Sequence, residues 1–233
     1  MPALELVEAP ALDAAGQMGL DEAVLTLHSG LLARLRFYRW QRSAVTFGYS
    51  QAFALARELA RSRGLAGAEL VRRATGGGVV FHDGDLTFSV VFAWERLSAP
   101  SLVYKDIHRG VHLGLKQAGV FTRVWSRAKP SAAPVSPQAA CFGGPPEPMD
   151  LVREDGVKVL GGALRRRGGK GLYQGSLRVD ALAAPLSTVR RAIAEGLGRK
   201  FRLAPERGLA ADWLSHGRRL SEKYRSARWN RRR

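Results

Sequence analysis

Apolar side chains at Met18, Leu20, Val24, Leu25 and Leu27 recur near helical spacing in residues 17–28, QMGLDEAVLTLH, and predict an amphipathic helix. Two strand-like runs follow, LARLRFYRW (32–40) and AVTFGYS (44–50), rich in aromatic and β-branched residues and joined by the polar QRS. Helical period returns over 51–63, QAFALARELARSR, with Gly64 as its stop. Residues 68–94 read as a strand, a glycine loop, a short strand, an Asp-Gly turn at 83–84 and a long buried strand. A helix over 101–119 follows, with Ser101 as candidate cap and Gly119 at its end. Residues 150–179 read as two or three strands with turns at EDG and RRGGKG, and 187–197 as another helix.

Short helices thus alternate with antiparallel-looking hairpins, without the regular βαβ rhythm of a doubly wound sheet. The expected fold class is α+β, a mixed, largely antiparallel sheet flanked by helices. A single domain is expected over residues 1–233, with a basic C-terminal tail at about 216–233. The stretch 128–148, AKPSAAPVSPQAACFGGPPEP, is too rich in Pro, Ala, Ser and Gly for regular structure. As a linker it would leave the hairpin after it too little chain for a core, so a functional loop is the better reading. It carries Cys141, the chain's single cysteine.

One cysteine excludes an internal disulfide framework, and no metal site is expected. The N-terminus has acidic residues and no apolar stretch of the kind a signal peptide needs, and no run is long enough to span a bilayer, so a cytoplasmic protein is expected. A net charge of +17 points to an acidic partner. Nucleic acid is disfavoured, because basic residues interleave with aromatics only in the tail KYRSARWNRRR. That tail reads either as a solvated, partly frayed end or as a docking element.

The three glycines at 76–78 fit no phosphate loop, since no Lys-Ser or Lys-Thr follows and no helix begins there. Bare backbone suits close approach to something without room for a Cβ, such as an extended acyl chain; a tight strand connection is the alternative. Arg72 and Arg73 could bind an anion or pin the loop through its carbonyls. The stretch RRATGGGVVFHDGDLTFSVV resembles the signature of the lipoate-protein ligase and octanoyltransferase family. QMGLDEAVL, RFYRWQRSAVTFGYSQ and ACFGGPPEPMDLVREDGVKVLGGALRRR are similar to further family blocks in the same order.

The resemblance implies a catalytic domain of the biotin/lipoate ligase type, with a tunnel for an eight-carbon acyl chain beside the glycine loop. Arg72, Arg73, Thr75, Gly76, Gly77, Gly78 and His82 match its loop motif, with Gly161, Gly162 and Ala163 as further substrate-binding positions. Lys158 matches the lysine common to ligases and transferases, and Cys141 the nucleophile of a cysteine-dependent octanoyltransferase. Where relatives have Gly-Ser-Ala-Gln this chain reads GGAL, and where they often have His-Gly-Ser it reads QGS, with Gln174.

The implied activity is transfer of octanoate from octanoyl acyl carrier protein, through a Cys141 acyl-enzyme, to a lysine of a 2-oxoacid dehydrogenase lipoyl domain or of the glycine-cleavage carrier protein. Its donor brings its own phosphopantetheine thioester, so no resident cofactor is expected. The alternatives are an ATP-dependent lipoate ligase, which would need ATP and magnesium, and a carrier-to-carrier amidotransferase. Chemically, a thiolate makes an acyl-enzyme before an amine attacks, and an ammonium nearby favours that thiolate. Without the resemblance, the residues favour the plainer reading, Cys141 as a buried small hydrophobe and Lys158 as a solvent-facing lysine.

Overall fold

Leu86, Phe88, Val90 and Phe92 recur at every second position, and the residues between them are buried too, so the strand they form sits mid-sheet. The computed structural model describes residues 3–95, 98–126, 142, 144–199, 202–205 and 207–232. This central strand, β6 (Leu86–Ala93), follows β1 (Ala3–Glu8), α1 (Ala14–Leu27), β2 (Ala33–Phe37), β3 (Ala44–Phe47), α2 (Phe53–Ser62), β4 (Glu69–Arg72) and β5 (Val80–His82). After it come α3 (Pro100–Gln117), β7 (Arg123–Val124), β8 (Leu151–Val152), β9 (Lys158–Arg167) and β10 (Lys170–Leu177). The chain continues through α4 (Leu186–Gly198), β11 (Arg202–Leu203), β12 (Arg207–Gly208), α5 (Ala211–Arg225) and α6 (Ala227–Asn230).

The large sheet runs β11-β1-β2-β6-β10-β9-β8-β7, with β12 also on β1, and a small sheet runs β4-β3-β5. Only the pairs that β1 makes with β2, β11 and β12, and that of β3 with β4, are parallel. The mixed, largely antiparallel α+β architecture expected from the sequence is what forms. One face of the large sheet, carrying Leu35, Phe88, Val90, Leu160, Tyr173 and Leu177, packs against Val111, Leu115, Val189 and Ile193 of α3 and α4. The other face places Arg36, Ser89 and Gln174 beneath α1, whose first turn is capped by Asp13 accepting from the Gly16 amide at 2.7 Å.

Several local readings change. The runs at 32–40 and 44–50 are not partners: β2 lies in the large sheet and β3 in the small one. The Asp83-Gly84 turn, with Gly84 at φ +93°, hands the chain from the small sheet to the large one and does not close a hairpin. Helix α3 starts at Pro100, with Ala99 and not Ser101 as its cap residue; Gly119 does take the left-handed conformation after its end, at φ +76°.

The basic tail is not a frayed end. Helix α5 lies against α1, where Gly19 passes so close to the Gly217 carbonyl that a Cβ would sit 2.6 Å from its oxygen. Beyond it the chain closes over β4. The Asn230 side chain accepts from the Arg72 amide at 2.8 Å and donates to the Tyr224 carbonyl at 2.6 Å, while the Trp229 indole donates to the Arg72 carbonyl at 2.8 Å. Replacing Asn230 with Ala strips buried main-chain groups of their partners and is expected to lower unfolding free energy by about 1–3 kcal/mol, measured by urea denaturation; an unchanged midpoint would remove the tail from the folded core.

Candidate active site

The glycine loop leaves β4 and returns into β5, and its shape follows from two arginines. Arg73 donates to Thr46 Oγ1 at 2.8 Å and to the carbonyls of Gly76 and Gly78 at 2.9 and 2.8 Å, so its guanidinium staples the loop from within. Gly77, between those carbonyls, has φ +83°, a conformation open to glycine at little cost. Its carbonyl oxygen packs on Gly48, where any Cβ would stand 1.9 Å from it. A Cβ built on Gly77 would lie 3.4 Å from the Cβ of Ala163, so the loop tip rests over β9.

Arg72 is buried and turned the other way. Its guanidinium donates to the carbonyls of Tyr49, Gln51, Trp229, Asn230 and Arg232 over 2.6–3.2 Å, and burial, then the charge of Arg232, lower its pKa. His82 stacks on Trp40 with ring centroids 4.2 Å apart, its Nε2 2.7 Å from Thr46 Oγ1 and its Nδ1 3.0 Å from Asp85. Burial works against the charge of Asp85, yet the His82 ring and hydrogen bonds from His82, Ser176 and Thr87 hold its carboxyl below the usual carboxylate range. The structure therefore gives the side chains of Arg72, Arg73 and His82 to protein partners; between the two offices considered for the arginines, it shows them pinning carbonyls.

Thr75 reaches across to the large sheet and donates to Gln174 Oε1 at 2.6 Å. Gln174 in turn donates to Asp21 Oδ2 at 2.8 Å, and Asp21 takes further hydrogen bonds from Arg36, Ser89 and Tyr38. Gln174 thus ties the glycine loop to a buried carboxylate. Burial and then the Asp21 charge push the Tyr38 phenol well above its ordinary pKa, so it stays a donor.

Lys158 opens β9. Its ammonium lies 2.8 Å from Oδ2 of the buried Asp150 and 5.9 Å from the centroid of the Phe142 ring, with the lysine itself partly buried. Tyr104 on α3 donates to Asp150 Oδ1 at 2.7 Å and accepts from the Gly162 amide at 3.0 Å. Gly161 and Gly162 pair with Ser176 and Gly175 of β10, and the room above Gly162 is filled by the Tyr173 ring, whose hydroxyl would sit 2.3 Å from a Cβ there. The Tyr173 hydroxyl meets His108 Nε2 at 2.7 Å. Burial drives the His108 pKa down to about 3, with the Lys158 charge acting in the same direction, so the ring is neutral. Along β9, Lys158 and Ala163 are separated by roughly 17 Å at about 3.4 Å per residue.

Cys141, the candidate nucleophile, and most of the 128–148 loop lie outside the described residues. Sequence reasoning missed Gly48, Asp21, Asp150, Tyr104 and His108. For Asp21 a signal was present, an acidic residue on the apolar side of an amphipathic helix; the others are brought in only by tertiary contact. No cluster able to hold a metal ion occurs among the described residues, and no described helix is long and apolar enough to cross a membrane.

The glycine loop, stapled by Arg73, thus lies over the middle of β9, the strand that Lys158 opens. The family model described as the lipoyl protein ligase A/B catalytic domain matches residues 13–201, and the chain belongs to that family. It is 37% identical over 180 residues to Octanoyltransferase LipM of Brevibacillus brevis, covering 73% of this chain and 63% of that protein. With Octanoyltransferase LipM of Lysinibacillus sphaericus it shares 31% identity over 207 residues, 84% of this chain and 74% of that one. The chain thus spans under two thirds of the length of the B. brevis relative. Protein Ta0514 of T. acidophilum with bound lipoic acid shares the fold at TM-score 0.78 and 24% identity, over 98% of both chains. Lipoate-protein ligase A bound with ATP does so at 0.75 and 24%, again over 98% of both.

Two outcomes are expected. Gly77→Val places a β-branched residue in a left-handed conformation against Arg73 and Ala163, and should lift the loop tip and abolish long-chain acyl binding in a folded protein; retained binding, by calorimetry with octanoate analogues, would separate the loop from the site. Because His108 is neutral in the fold down to about pH 3 while an unfolded histidine takes a proton near 6.5, stability should fall as pH drops from about 6.5 toward 3. His108→Gln keeps a partner for Tyr173 and should flatten that dependence, read from urea midpoints across the range.

Proposed function

We propose that this protein transfers an octanoyl group from acyl carrier protein to a lysine of a lipoyl domain or of the glycine-cleavage carrier protein, by way of a thioester on Cys141. The observation that carries this reading is 31–37% identity to octanoyltransferases across a region that includes the glycine loop and Lys158. The Cys141 thiolate attacks the donor thioester carbonyl, the phosphopantetheine thiol leaves with a proton, and the acceptor's neutral amine then takes the acyl group and releases the cysteine. Lys158 is suited to favour the thiolate and to face the oxygen that gains negative charge. The acyl chain would run along β9 toward Ala163 and the loop tip, a span long enough for a medium-length chain. The charge of +17 suits acidic carriers that dock by electrostatic steering.

Incubation with octanoyl acyl carrier protein should add the mass of one octanoyl group to the intact protein without ATP, and Cys141→Ser should lose both adduct and transfer. Full activity in Cys141→Ser would reject the covalent route. Strict ATP dependence would instead favour a ligase, the other activity in the family's name, and transfer only from lipoyl-bearing proteins a carrier-to-carrier amidotransferase.

A further inference from the structure

The Lys158 ammonium is held by a buried carboxylate that is itself held in place. Asp150 Oδ2 takes Lys158 at 2.8 Å and the Glu147 amide at 2.7 Å, while Oδ1 takes the Tyr104 hydroxyl at 2.7 Å. Tyr104 accepts in turn from the Gly162 amide at 3.0 Å, so a chain of hydrogen bonds starts at the lysine, crosses to α3 and returns to the same strand four residues on. Behind it, the Tyr104 ring stacks on His108 with centroids 4.0 Å apart, and His108 meets Tyr173. Ahead of it, Met149 carries φ +76°, a left-handed conformation costing a non-glycine residue roughly 1–2 kcal/mol. Such strain persists where surrounding structure over-determines a residue, and here the turn it allows aims the Asp150 carboxylate.

We infer that Asp150 and Tyr104 are positioning residues for the acyl transfer proposed above, a clamp that keeps the Lys158 ammonium charged and pointed in one direction while the thioester is made and broken. A lysine has four rotatable bonds and its ammonium no fixed direction of its own. Buried without a partner it would shed its proton. The carboxylate removes both freedoms. Among the described residues, Tyr104, His108 and Tyr173 are the other titratable groups packed around it. The charges on neighbouring segments, Arg123, Arg153 and Arg178, are engaged by Trp125, Asp155 and Asp180.

Asp150→Asn removes the countercharge and keeps the shape. The alkaline limb of the kcat profile, where an ammonium is lost, should move down by about 1–3 pH units with KM for the octanoyl carrier little changed. Mere structural loosening would lower amplitude and leave the limb where it was. Tyr104→Phe keeps the carboxylate and the ring; kcat should fall on the order of tenfold, because the lysine's support is displaced, with the limb in place. Independently of turnover, ¹H–¹⁵N spectra of lysine side chains in the wild-type protein should show one slowly exchanging ammonium that Lys158→Arg removes. An unmoved limb in Asp150→Asn, an unchanged kcat in Tyr104→Phe, or no protected ammonium would each overturn the clamp. Should the wild type transfer no octanoate at any pH, the transferase reading falls, and the spectra alone decide the clamp.

Discussion

Everything at the glycine loop depends on the need of partly buried carbonyl groups for hydrogen bonds. A loop of three glycines has no side chains with which to satisfy or shield its backbone, and buried main-chain oxygens left unpaired are costly. The two adjacent arginines answer that need in opposite directions. A guanidinium carries five N–H donors in a rigid fork and cannot lose its charge. Arg73 spends its fork inward, on the loop; Arg72 spends its own outward, on the turn at 49–51 and on residues 229–232. Neither meets a carboxylate among the hydrogen bonds described, so the charges are dispersed over carbonyl dipoles. The loop is thereby held in place without being bulky.

A second support runs through the sheet. The Thr75–Gln174–Asp21 connection joins the small sheet to the large one at the level of the loop. Asp21 is itself satisfied by Arg36, Ser89 and Tyr38, so the network has few loose ends. Buried polar networks that are fully satisfied rigidify the place they occupy. The face of the sheet opposite α3 and α4 is thus polar in its middle for a structural reason, with a second apolar cluster of Leu20, Val24, Leu25, Val91, Leu172 and Trp213 beside that polar centre.

Much of this was legible in the chain and some was not. Helices α1, α2 and α4 and strands β6 and β10 announced themselves because one periodicity ran through each. The division into two sheets could not be read, because 32–40 and 44–50 look equally strand-like and pairing is decided by distant partners. β1 was overlooked since its six residues mix apolar and acidic side chains, and α5 because RRLSEKYR is so polar; what makes it a stable helix is contact with α1 through Trp213, Gly217 and Tyr224, not its own pattern. The glycine loop was visible as an anomaly of composition, and Lys158 through resemblance. Asp150, Tyr104 and His108 sit at unremarkable spacings and meet only after β9, α3 and the turn before β8 have docked.

The closure of the C-terminal segment over Arg72 has a consequence in time. Arg72 and Trp229 are 157 residues apart in the chain and bonded in the fold. At synthesis rates of about 5–20 residues per second, the outward-facing arginine waits roughly 8–30 s for the carbonyls that will receive it. During that interval the strands around the loop can pair, but the anchor beneath it is absent. The nascent protein thus passes through a period in which its sheets are built and its glycine loop is tethered on one side only, until residues 229–232 have been made and can receive Arg72.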